Sequence, residues 1–485
     1  MKILITMPPL KGPGTPQLGQ NRQFQWFEGC SAIYPVVPAY AATMLKRAGY
    51  DVYWFDAIAK MKSYDEFKSY FKNLSPDIIA FETKTPVVEQ HWRIINDLKS
   101  INPKCKIVLF GDHVTALPKE SFNHSKVDFV LAGGDYDFLL LNLCEHLSNK
   151  TKLKPGIYYR FGKRVISTGK FKLNHDLNSL PFIDRELTHW RDYAFNNGNY
   201  HSTPGTYTMA GRDCWWGKCK FCSWPTLYPC FRTRSPESLF NEVKYLVEEL
   251  GVREVMDDTG TFPVGAWLKK FCALMIDSGL NRKVRIDCNM RFGTLKPNDY
   301  GLMRKAGFRF LLFGLESASQ RTLNRLNKGI KVSDITAGCE WAKKAGLDPH
   351  ITCMIGYPWE SVTDTKSTIH LASMLFNHGW VDTLQATIVI PYPGTPLYSE
   401  CKSNGWLLFD GPEQWHYYDM RRQVMKSDLS EEQIKIFTRD LYKLFFSPKY
   451  VLRKLISIRS LNDLKFISRG VKQVFKHLAD FGGKQ

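Results

Sequence analysis

The chain has 485 residues, which at about 150 residues per domain predicts about three folded units. Hydrophobic residues make up 44% of it and aromatic residues 14%, a composition that is typical of globular proteins and excludes a disordered chain. The formal net charge of +19 predicts an anionic partner: a phosphate-bearing cofactor, a nucleic acid or a membrane surface.

The amino terminus and the cysteines bear on the compartment. The opening MKILITMPPL has a single lysine and a short β-branched run, and no signal-peptide cleavage site follows it. No run of about 18 apolar residues occurs, so we predict no transmembrane helix. The twelve cysteines form no regular disulfide framework, which favours a reducing compartment. We therefore expect a cytoplasmic protein.

Residues 1–150 are predicted to form a doubly wound, Rossmann-like α/β domain. Apolar strands in MKILITMPP, SPDIIAFET, CKIVLFGDH and VDFVLAGG alternate with helical stretches, a pattern typical of a parallel sheet. Such sheets bind ligands at the carboxyl ends of their strands, although glycine and threonine also occur there simply to turn the chain. No G-x-G-x-x-G motif follows the first strand, so a dinucleotide is not predicted. The candidate contacts are Pro9, Thr83, Thr85, Gly111, His113, Thr115, Gly133 and Gly134.

Residues 151–204 are predicted to be a linker between domains. GIYYRFGKRVISTGK has the pattern of a hairpin that turns at Gly162 and Lys163. LNSLPFIDREL is then expected to cross in an extended conformation.

Three cysteines are concentrated in RDCWWGKCKFCSW, at Cys214, Cys219 and Cys222. A structural zinc site usually takes four ligands, and so does an iron–sulfur cluster. Three thiolates without a clear fourth predict a 4Fe–4S cluster in which one iron stays open to bind a substrate or cofactor. The alternative is structural zinc, completed by Cys230 or a histidine.

Residues 205–402 are predicted to form a partial (β/α)6 barrel. Strands at 253–259, 283–290, 308–316, 348–356 and 383–391 alternate with amphipathic helices, and TYTMAG precedes the cysteines as a sixth strand. In such barrels the residues at the carboxyl ends of the strands carry the chemistry.

Residues 403–485 are predicted to be a basic, amphipathic helical region. Apolar residues recur at three- and four-residue spacing from residue 443 onward, and lysine and arginine outnumber aspartate there. Such helices either cap the barrel or lie on an anionic membrane, and both roles are compatible. No RNA-binding module or stacking motif is recognisable, so a nucleic-acid partner is not expected.

The cysteine stretch resembles the signature of the radical S-adenosylmethionine family, C-x-x-x-C-x-x-C with an aromatic residue before the third cysteine. The first gap here is one residue longer, which Gly217 could absorb. DDTGTF, NMR, FGLESASQRTLNRLNKG and MIGYPWES resemble the later motifs of that family, although its G-G-E wording is absent. The resemblance implies S-adenosylmethionine contacts at Phe221, Asp258, Asn289, Arg291, Glu316, Ser317 and Gly356.

The N-terminal segments resemble the cobalamin-binding domain of many enzymes of this family, and PYPGTPLY resembles a segment of cobalamin-dependent members. The resemblance implies cobalamin at the strand ends given above. The D-x-H-x-x-G motif that supplies a cobalt ligand in other cobalamin proteins is absent, because Asp112 and His113 are adjacent. We therefore expect no histidine of that motif below the cobalt.

Together these resemblances imply a methyltransferase that cleaves S-adenosylmethionine reductively and methylates an unactivated carbon from methylcobalamin. They also imply a one-electron donor such as flavodoxin or ferredoxin, and a small-molecule or lipid substrate; the catalytic residues stay unassigned. An oxidative cyclase without methyl transfer is the alternative. A tRNA methylthiotransferase is disfavoured because Cys30, Cys105 and Cys144 form no second cluster motif. A non-catalytic redox sensor would leave the barrel motifs without a purpose.

Overall fold

The computed structural model of the protein describes residues 1–18, 24–27 and 32–481. Cys30 and residues 482–485 of the predicted C-terminal region lie outside these ranges. The described chain forms an N-terminal α/β domain, a partial barrel and a C-terminal helical region, which confirms the predicted fold class.

The N-terminal domain begins with a strand and alternates strands with helices, as the sequence pattern predicts. The capping box of Ser63 and Glu66 fixes the start of one helix, where each side chain bonds the backbone of the other. The elements are β1 (Lys2–Met7), β2 (Thr15–Pro16), β3 (Trp26–Phe27), α1 (Val36–Arg47), β4 (Asp51–Asp56), α2 (Tyr64–Leu74), β5 (Ile78–Glu82), α3 (Val88–Ile101), β6 (Lys106–Phe110), α4 (Asp112–Ala116), α5 (Glu120–His124), β7 (Phe129–Leu131), α6 (Tyr136–Leu147), β8 (Ile157–Phe161) and β9 (Arg164–Ser167).

Seven of these strands form one sheet in the order β4-β1-β5-β6-β7-β8-β9. The first five are parallel, and every residue of β5 is buried, as expected for a central strand with helices on both faces. The predicted hairpin is present, since β8 and β9 pair around a turn at Gly162 and Lys163. It is not a free linker, however, because β8 also pairs antiparallel with β7 and so extends the N-terminal sheet.

The barrel sheet contains six parallel strands, in the order β10 (Gly205–Thr208), β13 (Glu254–Asp257), β14 (Arg285–Met290), β15 (Phe308–Glu316), β16 (Asp348–Ile355) and β17 (Thr383–Ile388). Because the sheet does not close, its first and last strands each keep one free edge. The elements are α7 (Arg191–Ala194), β10 (Gly205–Thr208), β11 (Gly211–Arg212), α8 (Trp224–Leu227), β12 (Arg232–Thr233), α9 (Pro236–Glu248), β13 (Glu254–Asp257), α10 (Ala266–Asp277), β14 (Arg285–Met290), α11 (Pro297–Lys305), β15 (Phe308–Glu316), α12 (Gln320–Arg325), α13 (Val332–Lys344), β16 (Asp348–Ile355), α14 (Val362–His378), β17 (Thr383–Ile388) and α15 (Pro396–Ser403).

The C-terminal helices α16 (Glu431–Lys443), α17 (Pro448–Ile456) and α18 (Leu461–Asp480) cover the opening between these two edges. On α16, the Tyr442 hydroxyl donates to the Ala386 carbonyl of β17 at 2.9 Å. On α18, Arg469 donates to the Tyr200 carbonyl, just before β10. The predicted helical cap on the barrel is therefore present. Among the described residues, we find no helix with the length and apolarity needed to span a membrane.

Candidate functional site

The three clustered cysteines line one cavity at the carboxyl ends of the barrel strands. Cys214, Cys219 and Cys222 are half-buried, and Cys214 Sγ lies 3.2 Å from Thr261 Oγ1 in the loop after β13. Cys230 is exposed and does not line this cavity. Within the described ranges, no three His, Cys, Asp or Glu side chains converge closely enough to hold a single metal ion. Three thiols that line one cavity fit a 4Fe–4S cluster, which takes cysteine thiolates as its ligands.

The longer first gap of the cysteine motif is accommodated at Gly217. Its φ of 59° is in the left-handed region, and a Cβ added there would lie 3.3 Å from the Cys214 carbonyl oxygen. Glycine adopts this conformation without the penalty that other residues incur. The turn therefore brings Cys219 back beside Cys214 in spite of the extra residue.

Five of the seven predicted S-adenosylmethionine contacts line the same cavity as the thiols, and two do not. The chain turns at Glu316, whose φ is 62°, and carries Ser317 out of the cavity, where its hydroxyl donates to Glu360. Gly356 faces α16, and a Cβ added there would lie 3.2 Å from Ile434 Cδ1. The five that line the cavity are Phe221, Asp258, Asn289, Arg291 and Glu316.

Lys328 is a cavity residue that the sequence analysis missed, although it lies in the quoted FGLESASQRTLNRLNKG segment. Its ammonium donates to Glu316 Oε1 at 2.7 Å, and its carbonyl accepts a hydrogen bond from Arg291. Burial opposes its charge, but Glu316 and Cys219 hold the pKa of Lys328 above its usual value. The Arg291 guanidinium lies 4.1 Å from the ring centre of Trp216. Charges of both signs beside the thiols suit a ligand that carries an amino and a carboxylate group.

A buried ion-pair network joins the cysteine loop to the N-terminal domain. Arg212, two residues before the first cysteine, pairs with Asp135 at 3.0 Å and donates to Asp137 Oδ1 at 2.9 Å. Arg232 and His175 also contact Asp135. Burial would raise the pKa of Asp135, but these cationic neighbours and hydrogen bonds hold it well below its usual value. The loop that holds the thiols is therefore fixed to the start of α6, just after β7.

Four of the predicted cobalamin contacts form hydrogen bonds to protein groups through their side chains. The ring nitrogens of His113 lie 3.1 Å from Thr85 Oγ1 and 2.7 Å from Glu120 Oε2, so both are engaged. The Thr115 hydroxyl donates to the Gly111 carbonyl. Thr83 likewise bonds a ring nitrogen of His91.

Three glycines at these strand ends are packed against protein. A Cβ on Gly111 would lie 2.3 Å from the Thr83 carbonyl oxygen of the neighbouring strand. Aromatic rings fill the corresponding space at Gly133 (Phe171, 2.4 Å) and at Gly134 (Tyr228, 1.9 Å). Close packing against protein is thus a structural reason for glycine at these three positions, and the predicted cobalamin contacts stay a prediction.

The cavity has a volume of about 840 Å³ and runs from the thiols through the barrel to the C-terminal helices. The eight strand-end residues predicted to contact cobalamin do not line this cavity. In the described part of the N-terminal domain, the residues that line it are Gln17 and Ile33. On β16, His350 Nδ1 lies 2.8 Å from Thr383 Oγ1, while its buried Nε2 has no hydrogen-bond partner. Burial lowers the pKa of His350 to about 3, so the ring is neutral.

Comparison with family models identifies two segments. Residues 210–372 match the radical SAM superfamily, and residues 32–138 match the B12 binding domain. The first segment contains the three cysteines and all seven predicted S-adenosylmethionine contacts. The second contains all but one of the predicted cobalamin contacts, Pro9.

Three similar proteins cover most of the chain. An uncharacterized methyltransferase of Pyrococcus horikoshii is 26% identical over 98% of this chain and 99% of its own length. The bacteriochlorophyllide d C-8(2)-methyltransferase of Chlorobaculum tepidum is 30% identical over 80% of this chain and 82% of its own. The solved structure of the radical S-adenosylmethionine methyltransferase TsrM of Kitasatospora setae, with cobalamin and a [4Fe-4S] cluster bound, superposes with a TM-score of 0.69 at 12% identity and covers 98% of both chains.

Proposed function

Because the chain belongs to the radical S-adenosylmethionine enzymes that carry a cobalamin-binding domain, we propose that it methylates an unactivated carbon of a small-molecule or lipid substrate. Its cofactors are a 4Fe–4S cluster, S-adenosylmethionine and cobalamin. The observation that carries the proposal is that three thiols and a set of paired charges line one large cavity, to which the N-terminal domain also contributes.

The cavity residues would hold and orient the cofactors. When bound, the cluster supplies the electron that cleaves S-adenosylmethionine, and cobalamin supplies the methyl group. Cys214, Cys219 and Cys222 would hold the cluster and leave one iron without a protein ligand. Arg291 and Glu316 would contact the carboxylate and amino groups of S-adenosylmethionine. The C-terminal helices would exclude water from the apolar part of the cavity.

On the cobalamin side, Gln17 and Ile33 would contact the cofactor, because they line the cavity with the thiols. The strand-end residues predicted from the sequence would lie behind Gln17 and Ile33 and support their positions. Thr115 supports this arrangement, since its hydroxyl also accepts a hydrogen bond from the Gly133 amide and so ties the ends of two strands together.

A one-electron donor such as flavodoxin or ferredoxin is the expected protein partner. The exposed Lys218 beside the thiols would favour an acidic donor. We also propose a cytoplasmic protein, which the free thiols of the described cysteines support.

Peripheral contact with a membrane is a further part of the proposal. Leu452, Ile456 and Leu461 of the C-terminal helices are 59%, 70% and 77% exposed, and basic residues surround them. Co-sedimentation with anionic liposomes at low salt would test this contact. Equal recovery with neutral and anionic liposomes would contradict it.

Anaerobic purification with added cobalamin tests the proposed function directly. We expect about four irons and one cobalt per chain, and loss of the iron when Cys214, Cys219 and Cys222 are replaced by alanine. Turnover with S-adenosylmethionine labelled as CD3 should place the label in the product. A product that loses hydrogen or gains oxygen without the label would instead establish the cyclase alternative.

A further inference from the structure

We propose that the cavity binds a hydrophobic anion, with a large apolar body directed toward the thiols and an acidic group held by cations of α18. This inference rests on the proposed function and names the substrate class for the same site. The described structure supports it through the walls of the cavity, its mouth and its distribution of charge.

The walls between the thiols and the C-terminal helices are largely apolar. Barrel strands and α16 contribute side chains that have no charge to offer a ligand. With a volume of about 840 Å³, the cavity lies in the upper part of the roughly 300–1,000 Å³ range that is typical of sites for drug-sized ligands. The apolar and aromatic wall residues are Met256, Phe310, Leu312, Leu384, Tyr392 and Tyr442.

The mouth of the cavity lies between α17 and α18 and exposes apolar side chains. Leu455 is 60% exposed and Val471 is 47% exposed, although both line the cavity. Phe446 also lines the mouth, with its ring centre 5.2 Å from that of Phe475. Contiguous exposed apolar surface at a concave site marks a place where an apolar partner binds. An apolar body would cover these side chains.

Charge is distributed unevenly along the cavity. Its acidic lining residues, Asp258 and Glu316, lie at the thiol end. At the α18 end, Lys454 is paired with Asp382 at 2.9 Å, whereas the exposed Lys472 has no acidic group within 4 Å among the described residues. The thiol end is balanced, because Arg291 and Lys328 line it as well, whereas in the described chain the α18 end carries lining cations without lining acids and therefore favours an anion.

Arg469 and Lys472 of α18 are suited to donate to the acidic group of the ligand. Arg469 donates through Nη2 to the Tyr200 carbonyl, but its buried Nε has no hydrogen-bond partner. Lys472 follows three residues later, so both side chains lie on one face of α18. A carboxylate or phosphate that bridges them would satisfy the buried donor, which is costly to leave unpaired.

Equilibrium dialysis of the reconstituted full-length protein tests this inference with two pairs of probes. Protoporphyrin IX is compared with its dimethyl ester, and farnesyl diphosphate with farnesol. We expect the anionic member of at least one pair to bind about tenfold more tightly than the neutral member, as a charge-assisted hydrogen bond would give. The pair that binds identifies the body as a macrocycle or an isoprenoid.

Variants then locate the two halves of the site. Lys472→Glu should weaken the anion about tenfold and leave the neutral probe unchanged, while Leu312→Trp should weaken both. Lys449→Glu is the matched control, because Lys449 is exposed on α17 and does not line the cavity. Equal binding of acid and neutral probe, no binding of either pair, or the same loss in Lys449→Glu would overturn the inference. Binding needs no turnover, and the iron and cobalt contents of each sample test the proposed function separately.

Discussion

Breaking the buried pair of Arg212 and Asp137 should cost several kcal/mol of stability at the contact between the two domains. Arg212 is 1% exposed and Asp137 is fully buried, so neither charge has water to replace its partner. Removing one member of a buried ion pair typically costs about 3–5 kcal/mol, because the other charge stays buried and uncompensated. Asp137→Asn should lower the free energy of unfolding by about 3 kcal/mol, at the lower end of this range, because the amide keeps the shape of the side chain and Asp135 still compensates Arg212.

Urea unfolding and iron retention measure this effect together. Because Arg212 lies two residues before Cys214, we expect Asp137→Asn to lower both the unfolding midpoint and the iron retained after gel filtration. Adding Arg212→Met to Asp137→Asn should cost less than the sum of the two single changes, because Asp137→Asn has already broken one of the two ion pairs that Arg212 makes. Glu186→Gln is the control, because its partner Arg191 and Glu186 itself are mostly exposed. An Asp137→Asn protein as stable as this control would refute the reasoning.

Three further predictions follow from single residues. Gly217→Ala should lower iron incorporation, because alanine in the left-handed conformation is strained by about 1 kcal/mol. Gly162→Ala is the control: it has a similar positive φ in the open hairpin turn and should leave the iron content unchanged. Lys328→Met should weaken S-adenosylmethionine binding measured by equilibrium dialysis about tenfold, because Glu316 loses its buried cation. An unchanged affinity would show that this pair does not act on the ligand. Burial lowers the pKa of His91 to about 3, so on acidification the unfolded state binds this proton first, and the free energy of unfolding falls as the pH drops below about 6.5. Between pH 7 and pH 5, the free energy of unfolding measured in urea should therefore fall by about 2 kcal/mol less in His91→Leu than in the unsubstituted protein. Equal decreases would contradict the assignment.

Local sequence patterns were sufficient to predict the strands and helices and the three-thiol site. The β-branched runs of β5 and β6 predict buried parallel strands, and the spacing of Cys214, Cys219 and Cys222 predicts a three-thiol site; all are present. Both features depend on residues that are close in the sequence. The same holds for the hairpin turn at Gly162, although not for the sheet that the hairpin joins.

Residues whose environment depends on contacts with distant parts of the chain were not predictable from local patterns. The space beside Gly134 is filled by Tyr228, which lies 94 positions away and also donates its hydroxyl to the Gly134 carbonyl. Ser317 follows a cavity residue directly, yet the positive φ of Glu316 turns it away. His350 gave no signal because a lone histidine in a strand is usually a core residue, and only the assembled barrel shows that it lines the cavity.

The C-terminal helices show why truncation would be a poor test of their function. α16 protects the edge of β17 through Tyr442, α18 reaches the β10 side through Arg469, and His201 binds Asp463 of α18 at 2.7 Å. Deleting residues 443–485 would keep Tyr442 but remove α17 and α18. It would expose the β10 side of the opening, and unpaired strand edges promote association. Loss of activity would then follow whether or not the helices bind a membrane or a substrate. Lys472→Glu and Leu312→Trp leave these contacts intact, so only substitutions of this kind separate a structural cap from a substrate site.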